Sequence, residues 1–122
     1  MRNLDHTCNE IEQDHPNPLL HRQVVTGDKI LVAMVELERG CKVALHHHDS
    51  EQIANVIRGR VRWGIGEPGS SERKEFDMVG GQVLHLPSNL PHEVEALEDS
   101  RILDMLSPPG PMGVDSQGSA GA

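Results

Sequence analysis

The chain has 122 residues, enough for one domain with a modest core. Its 19 acidic residues outnumber its 11 Lys and Arg residues, and a surface with net charge −8 repels the phosphate backbone of nucleic acids. No apolar run approaches the roughly 20 residues of a membrane-spanning helix, so we expect no nucleic-acid or membrane partner. The N-terminus lacks the basic start and apolar segment of a signal peptide, which favours a cytoplasmic protein.

Three parts can be distinguished along the chain. Residues 1–18 are polar and contain Pro16 and Pro18, which predict an extended N-terminal arm. Residues 19–109 alternate short apolar segments with Gly and Pro turns and are predicted to form the folded domain. Residues 110–122 hold four glycines and little to bury, which predicts a flexible tail.

The central part has the pattern of many short strands. Val61, Trp63 and Ile65 alternate with arginines, as on a strand with one buried face. Segment 29–38 is more continuously apolar, which predicts a strand buried on both faces. No segment has a long 3.6-residue apolar period, so an all-β sandwich or barrel is predicted. The predicted strands are 19–26, 29–38, 42–48, 52–58, 60–66, 72–77, 82–86, 92–97 and 101–106.

Three consecutive histidines end one of these strands. Side chains two residues apart point the same way on a strand, so His46 and His48 share a face and His47 points to the other. Gln52 follows after a turn, and His92 comes from a distant strand. Two imidazoles on one face, joined by two further donors, are typical of a site that binds a first-row metal.

Glycines and a proline surround these residues at regular spacings, as Gly40-x5-His46-x-His48-x3-Gln52-x6-Gly59 and Gly81-x5-Pro87-x-Asn89-x2-His92. This pattern resembles the two signature motifs of the cupin superfamily, over about residues 20–110. The resemblance implies an all-β jelly-roll (double-stranded β-helix) barrel. It also implies that one divalent metal is held inside the barrel by His46, His48, Gln52 and His92. The chain departs from the general pattern at Gln52, Asn89 and Ala96, where glutamate, glycine and asparagine are usual.

The ligand set bears on the chemistry. Three neutral imidazoles and an amide leave the charge of a divalent ion uncompensated. The ion is then a stronger Lewis acid than it would be in a site with a carboxylate ligand. This favours Lewis-acid or acid–base chemistry over the oxygen activation typical of sites with two histidines and one carboxylate. Zinc, manganese, nickel, iron and copper all suit these donors. Two alternatives stay open: Glu51 replaces Gln52 as ligand if the preceding turn shifts the register, or the barrel has lost the ion.

Asp104 is a carboxylate within the apolar segment 102–106. Burying a charge there is costly unless it is paired or used, and the alternative is an edge strand with Asp104 facing solvent. Residues 103–108 resemble the Leu-Asp-x-(Phe/Leu)-(Ser/Thr)-Pro ending of small cupins that include uronate-linearising proteins. In those proteins the matching aspartate faces the metal pocket and is a candidate proton carrier. The arginine expected after the proline is absent, since Pro109 and Gly110 follow.

These features predict a small metal-dependent enzyme of isomerase, cyclase or lyase type. Its substrate would be a small hydroxylated or carbonyl compound such as a sugar derivative, and small cupins of this layout also include polyketide cyclases. Asp104 is the first candidate for moving a proton, with His85 and Glu51 as further candidates. A metal-dependent dioxygenase and a non-enzymatic ligand-binding or sensor protein are the alternatives. The resemblance to small cupins also implies a homodimer.

Overall fold

The structure is a computed structural model that describes residues 4–117. Each of the nine predicted strands has a counterpart in it, and one further strand precedes them. Within residues 4–117, no helix is long and apolar enough to cross a membrane. Short 3-10 helices span Cys8–Glu10 and Gly113–Gln117. The strands are β1 (Asp14–Asn17), β2 (Leu20–Thr26), β3 (Leu31–Leu37), β4 (Lys42–His46), β5 (Glu51–Arg58), β6 (Arg60–Ile65), β7 (Lys74–Val79), β8 (Val83–Leu86), β9 (His92–Ala96) and β10 (Ser100–Ser107).

The strands form two antiparallel sheets, which confirms the predicted jelly-roll barrel. The larger sheet has the order β1-β2-β3-β10-β5-β8, and the smaller has the order β4-β9-β6-β7. Neighbours such as β3 and β10 are far apart in sequence, as expected when the chain repeatedly crosses from one sheet to the other. The inner faces of both sheets enclose the core.

Strand β3 illustrates how the core is built. Leu31, Ala33, Val35 and Leu37 are buried, whereas the residues between them are only half-buried. The prediction that this segment is buried on both faces was therefore wrong. Apolar side chains such as Val32 lie on the outer face of the larger sheet, where no second layer of strands from residues 4–117 covers them.

The two ends of the described chain meet at Arg22. Arg22 is only 8% exposed, and its guanidinium donates paired hydrogen bonds of 2.8–3.0 Å to the carboxylates of Asp14 in β1 and Asp115 in the C-terminal 3-10 helix. Val114 is buried against the core. The structure thus differs from the predicted flexible tail at residues 113–117, because one apolar side chain and one ion pair are enough to dock this segment. Residues 118–122 of the predicted tail lie outside the described residues.

Candidate metal centre

Three histidines meet where edge strand β4 of the smaller sheet ends beside the start of its neighbour β9. His46 ends β4 and His92 begins β9, and the two residues are directly paired across the strands. The ring centroids of His46 and His92 are 4.2 Å apart, and those of His48 and His92 are 5.0 Å apart. Each histidine offers one ring nitrogen to a cluster in which these atoms all lie within 4.8 Å of one another. His47 is exposed on the other face, as the strand alternation predicts.

In each of the three histidines, Nδ1 is hydrogen-bonded to a backbone carbonyl oxygen. Nδ1 of His46 lies 2.7 Å from the carbonyl oxygen of Ala44, and Nδ1 of His92 lies 2.8 Å from that of Leu90. Nδ1 of His48 lies 2.9 Å from the carbonyl oxygen of Ser50. A carbonyl oxygen only accepts, so each Nδ1 carries the ring proton and each neutral ring has its lone pair on Nε2. Backbone contacts of this kind orient metal-binding histidines in proteins.

Gln52 extends the cluster from the opposite sheet. Its side-chain Nε2 donates a 2.8 Å hydrogen bond to Oδ1 of Asp104, which turns its Oε1 towards His48. Gln52 and Asp104 are both at least 94% buried and belong to neighbouring strands, β5 and β10. The residues present therefore fit a divalent ion: three imidazole nitrogens and one amide oxygen, all with lone pairs directed inward.

Burial sets the protonation of this cluster. It lowers the pKa of His92 to about 4 and also lowers the pKa of His46, because charged imidazolium is poorly solvated inside the barrel. Burial raises the pKa of Asp104 to about 7, and the hydrogen bond from Gln52 opposes that rise. At neutral pH, His46 and His92 are thus uncharged, in the form that binds metal.

A cavity of about 40 Å³ adjoins the cluster inside the barrel. It has room for a few water molecules, and it is smaller than the pockets of roughly 300–1,000 Å³ that hold drug-sized ligands. Its polar lining consists of His46, His92, Gln52 and Asp104, and Trp63 also lines it. The apolar walls are formed by Leu20, Val35, Leu37, Val43, Val94, Ile102, Met112 and Val114.

The C-terminal segment closes one side of this cavity. Met112, Gly113 and Val114 all line it, and the ion pair between Asp115 and Arg22 holds the segment in place. A Cβ atom at residue 113 would overlap the ring of His46, so this position has room only for glycine. The segment must therefore move aside before a sugar-sized molecule can enter on this side.

The other two predicted catalytic residues lie elsewhere. Glu51 and His85 form a 2.6 Å hydrogen bond on the outer face of the larger sheet, with side chains 56% and 55% exposed. Glu51 precedes the buried Gln52, and strand alternation turns adjacent side chains to opposite faces. His85 is paired with Ile53, which also faces outward. Neither residue lines the cavity, whereas Asp104 does.

Sequence reasoning missed the part that Trp63 and residues 112–114 have in the site. The alternation of Val61, Trp63 and Ile65 indicated that the indole faces inward, but not that it lies beside His92, with ring centroids 6.4 Å apart. Residues 112–114 carry no periodic signal. Their place depends on contacts with residues far away in the sequence.

Comparisons with known proteins agree with this architecture. A family model described as a cupin domain matches residues 33–107. A solved RmlC-like cupin from Shewanella frigidimarina has a TM-score of 0.79 at 15% identity, covering 88% of this chain and 93% of that chain. KdgF from Halomonas sp. has a TM-score of 0.72 at 23% identity, covering 84% and 90%. No match is found among curated proteins.

A third structure is longer. It is an oxalate decarboxylase from Bacillus subtilis, solved in work on its Mn(II) centres, with a TM-score of 0.77 at 20% identity. The match covers 92% of this chain and 31% of that chain, so this chain spans about a third of its length. At these identities the three structures show the shared fold alone. The family match, which spans more than half of the 122 residues, shows that this chain belongs to the cupin family.

Proposed function

We propose that this protein binds one divalent transition metal and uses it to act on a small hydroxylated or carbonyl compound. The observation that carries this proposal is the set of inward lone pairs. Backbone carbonyls hold the proton of all three histidines on Nδ1, so the clustered Nε2 atoms have no hydrogen to share. A bound cation would offset the repulsion between these converging acceptor atoms. The proposed ligand atoms are Nε2 of His46, His48 and His92 and Oε1 of Gln52.

The chemistry follows from the donor set and from Asp104. When bound, the ion would supply a Lewis acid that polarises a carbonyl or hydroxyl oxygen. Asp104 is the one carboxylic acid among the described residues that line the cavity. Its Oδ1 is fixed by Gln52, so the carboxyl group is positioned next to the ligands rather than among them. It is the group best placed to take a proton from a bound substrate or return it.

This arrangement suits isomerisation, cyclisation or elimination, in which a proton moves next to a polarised carbonyl. The Mn(II) centres named for the oxalate decarboxylase of the same fold make manganese the first metal to test. Zinc, nickel, iron and copper suit the same donors. The small-molecule substrate, the homodimer and the cytoplasmic location stay predictions.

The test is elemental analysis of the purified protein, followed by reloading of chelator-treated protein with single metals. We expect close to one ion per chain. His92→Ala should abolish this binding, whereas His47→Ala, which removes an exposed histidine of the same run, should leave it unchanged. Equal metal content in both variants would refute the proposed site. Oxygen uptake during turnover would instead support a dioxygenase.

A further inference from the structure

The indole of Trp63 has an unusual environment. Its side chain faces the barrel interior, is only 2% exposed, and lines the cavity beside His92. Its Nε1–H is buried and has no hydrogen-bond partner among the described residues. Buried tryptophan N–H groups usually have a hydrogen-bond partner. A buried donor that has lost its hydrogen bond to water and has not gained one within the protein destabilises the fold.

Most of the cavity wall cannot accept a hydrogen bond from this N–H group. Eight of the lining residues are apolar, and glycine is a ninth. The polar lining groups keep acceptor atoms, namely Nε2 of His46 and His92 and the second carboxylate oxygen of Asp104, but none of them is a hydrogen-bond partner of the indole nitrogen. The described residues therefore leave the Trp63 N–H without an acceptor, and the indole borders two spaces from which a bound molecule can supply one: this cavity and a more open pocket of about 400 Å³ that Arg73 and Glu93 also line. Of the two, only the cavity is lined by proposed metal ligands.

We propose that Trp63 Nε1–H donates a hydrogen bond to an oxygen of the ligand that binds in this cavity. The ligand class is a compact carbonyl or carboxylate compound whose remaining surface is apolar. Its oxygen end would lie between the indole and the histidine cluster, and its apolar body would contact Val35, Leu37 and Ile102. This inference rests on the proposed function only in assuming a metal ion at the histidine cluster. The unpaired N–H group and the apolar walls are features of the protein whether or not an ion is bound.

The chain offers a direct probe, because Trp63 is its only tryptophan. Protein labelled with ¹⁵N at the indole nitrogen gives a single N–H resonance from this site. Zn²⁺ binding is measured first, by stoichiometry, and decides the proposed function separately. Acetate is then titrated into both the Zn²⁺-loaded and the metal-free protein. We expect a saturable downfield shift of the indole proton and slower exchange with solvent in at least one of the two forms.

A resonance that acetate leaves unchanged in both forms would overturn the proposal. So would a shift that is complete with Zn²⁺ alone, because the acceptor would then be water. Trp63→Phe keeps a ring in the wall and removes only the N–H, and we expect it to weaken acetate binding about tenfold in calorimetry. Zn²⁺ stoichiometry checks that this variant is folded. Unchanged acetate affinity in a variant that still binds Zn²⁺ would also overturn the proposal.

Discussion

His48 Nε2 and Gln52 Oε1 lie 3.0 Å apart, and when the His48 ring is neutral with its proton on Nδ1 the two atoms face each other with lone pairs. The proton of His48 is on Nδ1, which donates to Ser50, and an amide oxygen carries none. Two acceptors at this distance repel each other unless a cation lies between them. The spacing is close to that of two neighbouring ligands of a metal with bonds of about 2.1 Å.

Gln52→Ala is expected to weaken metal binding by about tenfold or more, because it removes one ligand oxygen and leaves Asp104 without its amide partner. Competition with a chromophoric chelator measures the affinity. Glu51→Ala is the matched control, since the neighbouring side chain points to solvent. Should Glu51→Ala prove the more damaging change, Glu51 and not Gln52 would be the ligand.

The pH dependence of the free energy of unfolding should reveal the raised pKa of the buried Asp104 carboxyl group. Its pKa in the folded metal-free protein is raised to about 7 from an ordinary value of 3.8, so folded protein holds this proton more tightly than unfolded protein. The corresponding stability is fully present below pH 4 and is lost as the pH rises through 7. Asp104→Asn should remove this loss and raise the free energy of unfolding at pH 8 by roughly 2–4 kcal/mol.

Urea denaturation of chelator-treated protein at pH 4.5 and pH 8 tests this expectation. Asp49→Asn, which changes an exposed carboxylate near the same site, should show the pH dependence of the unmodified protein. If Asp104→Asn and Asp49→Asn behave alike, burial does not hold the proton on Asp104.

The ion pair of Asp115 with Arg22 should control access to the cavity. Asp115→Ala removes the carboxylate that holds the C-terminal segment and also accepts from the Met112 amide. We expect faster hydrogen exchange in residues 112–115, faster metal uptake, and a loss of about 1 kcal/mol in stability, kept modest because this carboxylate is partly exposed.

Asp14→Ala is the control for this experiment, because Asp14 binds the other side of the same guanidinium and leaves Asp115 in place. It should loosen β1 without changing the exchange of residues 112–115 or the rate of metal uptake. Equal effects of both substitutions would mean that Arg22 acts only on overall stability.

The parts of the site that were predictable from the sequence depend on local rules. Strand alternation, continued two residues beyond the end of β4, predicts that His46 and His48 lie together, and within β5 it separates Gln52 from Glu51. The location of His85 was harder to predict, because β8 has apolar residues on both faces: Val83 is 60% exposed and Leu86 is buried. Alternation then gives no indication of which face is inside.

The closing segment could not be predicted for a different reason. Arg22 and Asp115 are 93 residues apart in sequence, and no periodic pattern records a single contact over that distance. The contact of Gly113 with His46 is equally non-local. Composition made residues 110–117 resemble a tail, and their docking depends on the shape of a barrel mouth that only the folded chain has.

The position of the only tryptophan also has an experimental consequence. The chain contains no tyrosine, so nearly all of its ultraviolet absorption at 280 nm and its intrinsic emission come from the indole beside His92. A melting curve recorded by emission would therefore follow the interior of the barrel at the metal cluster. Comparing it with a curve from far-ultraviolet circular dichroism would show whether this region opens before the sheets separate.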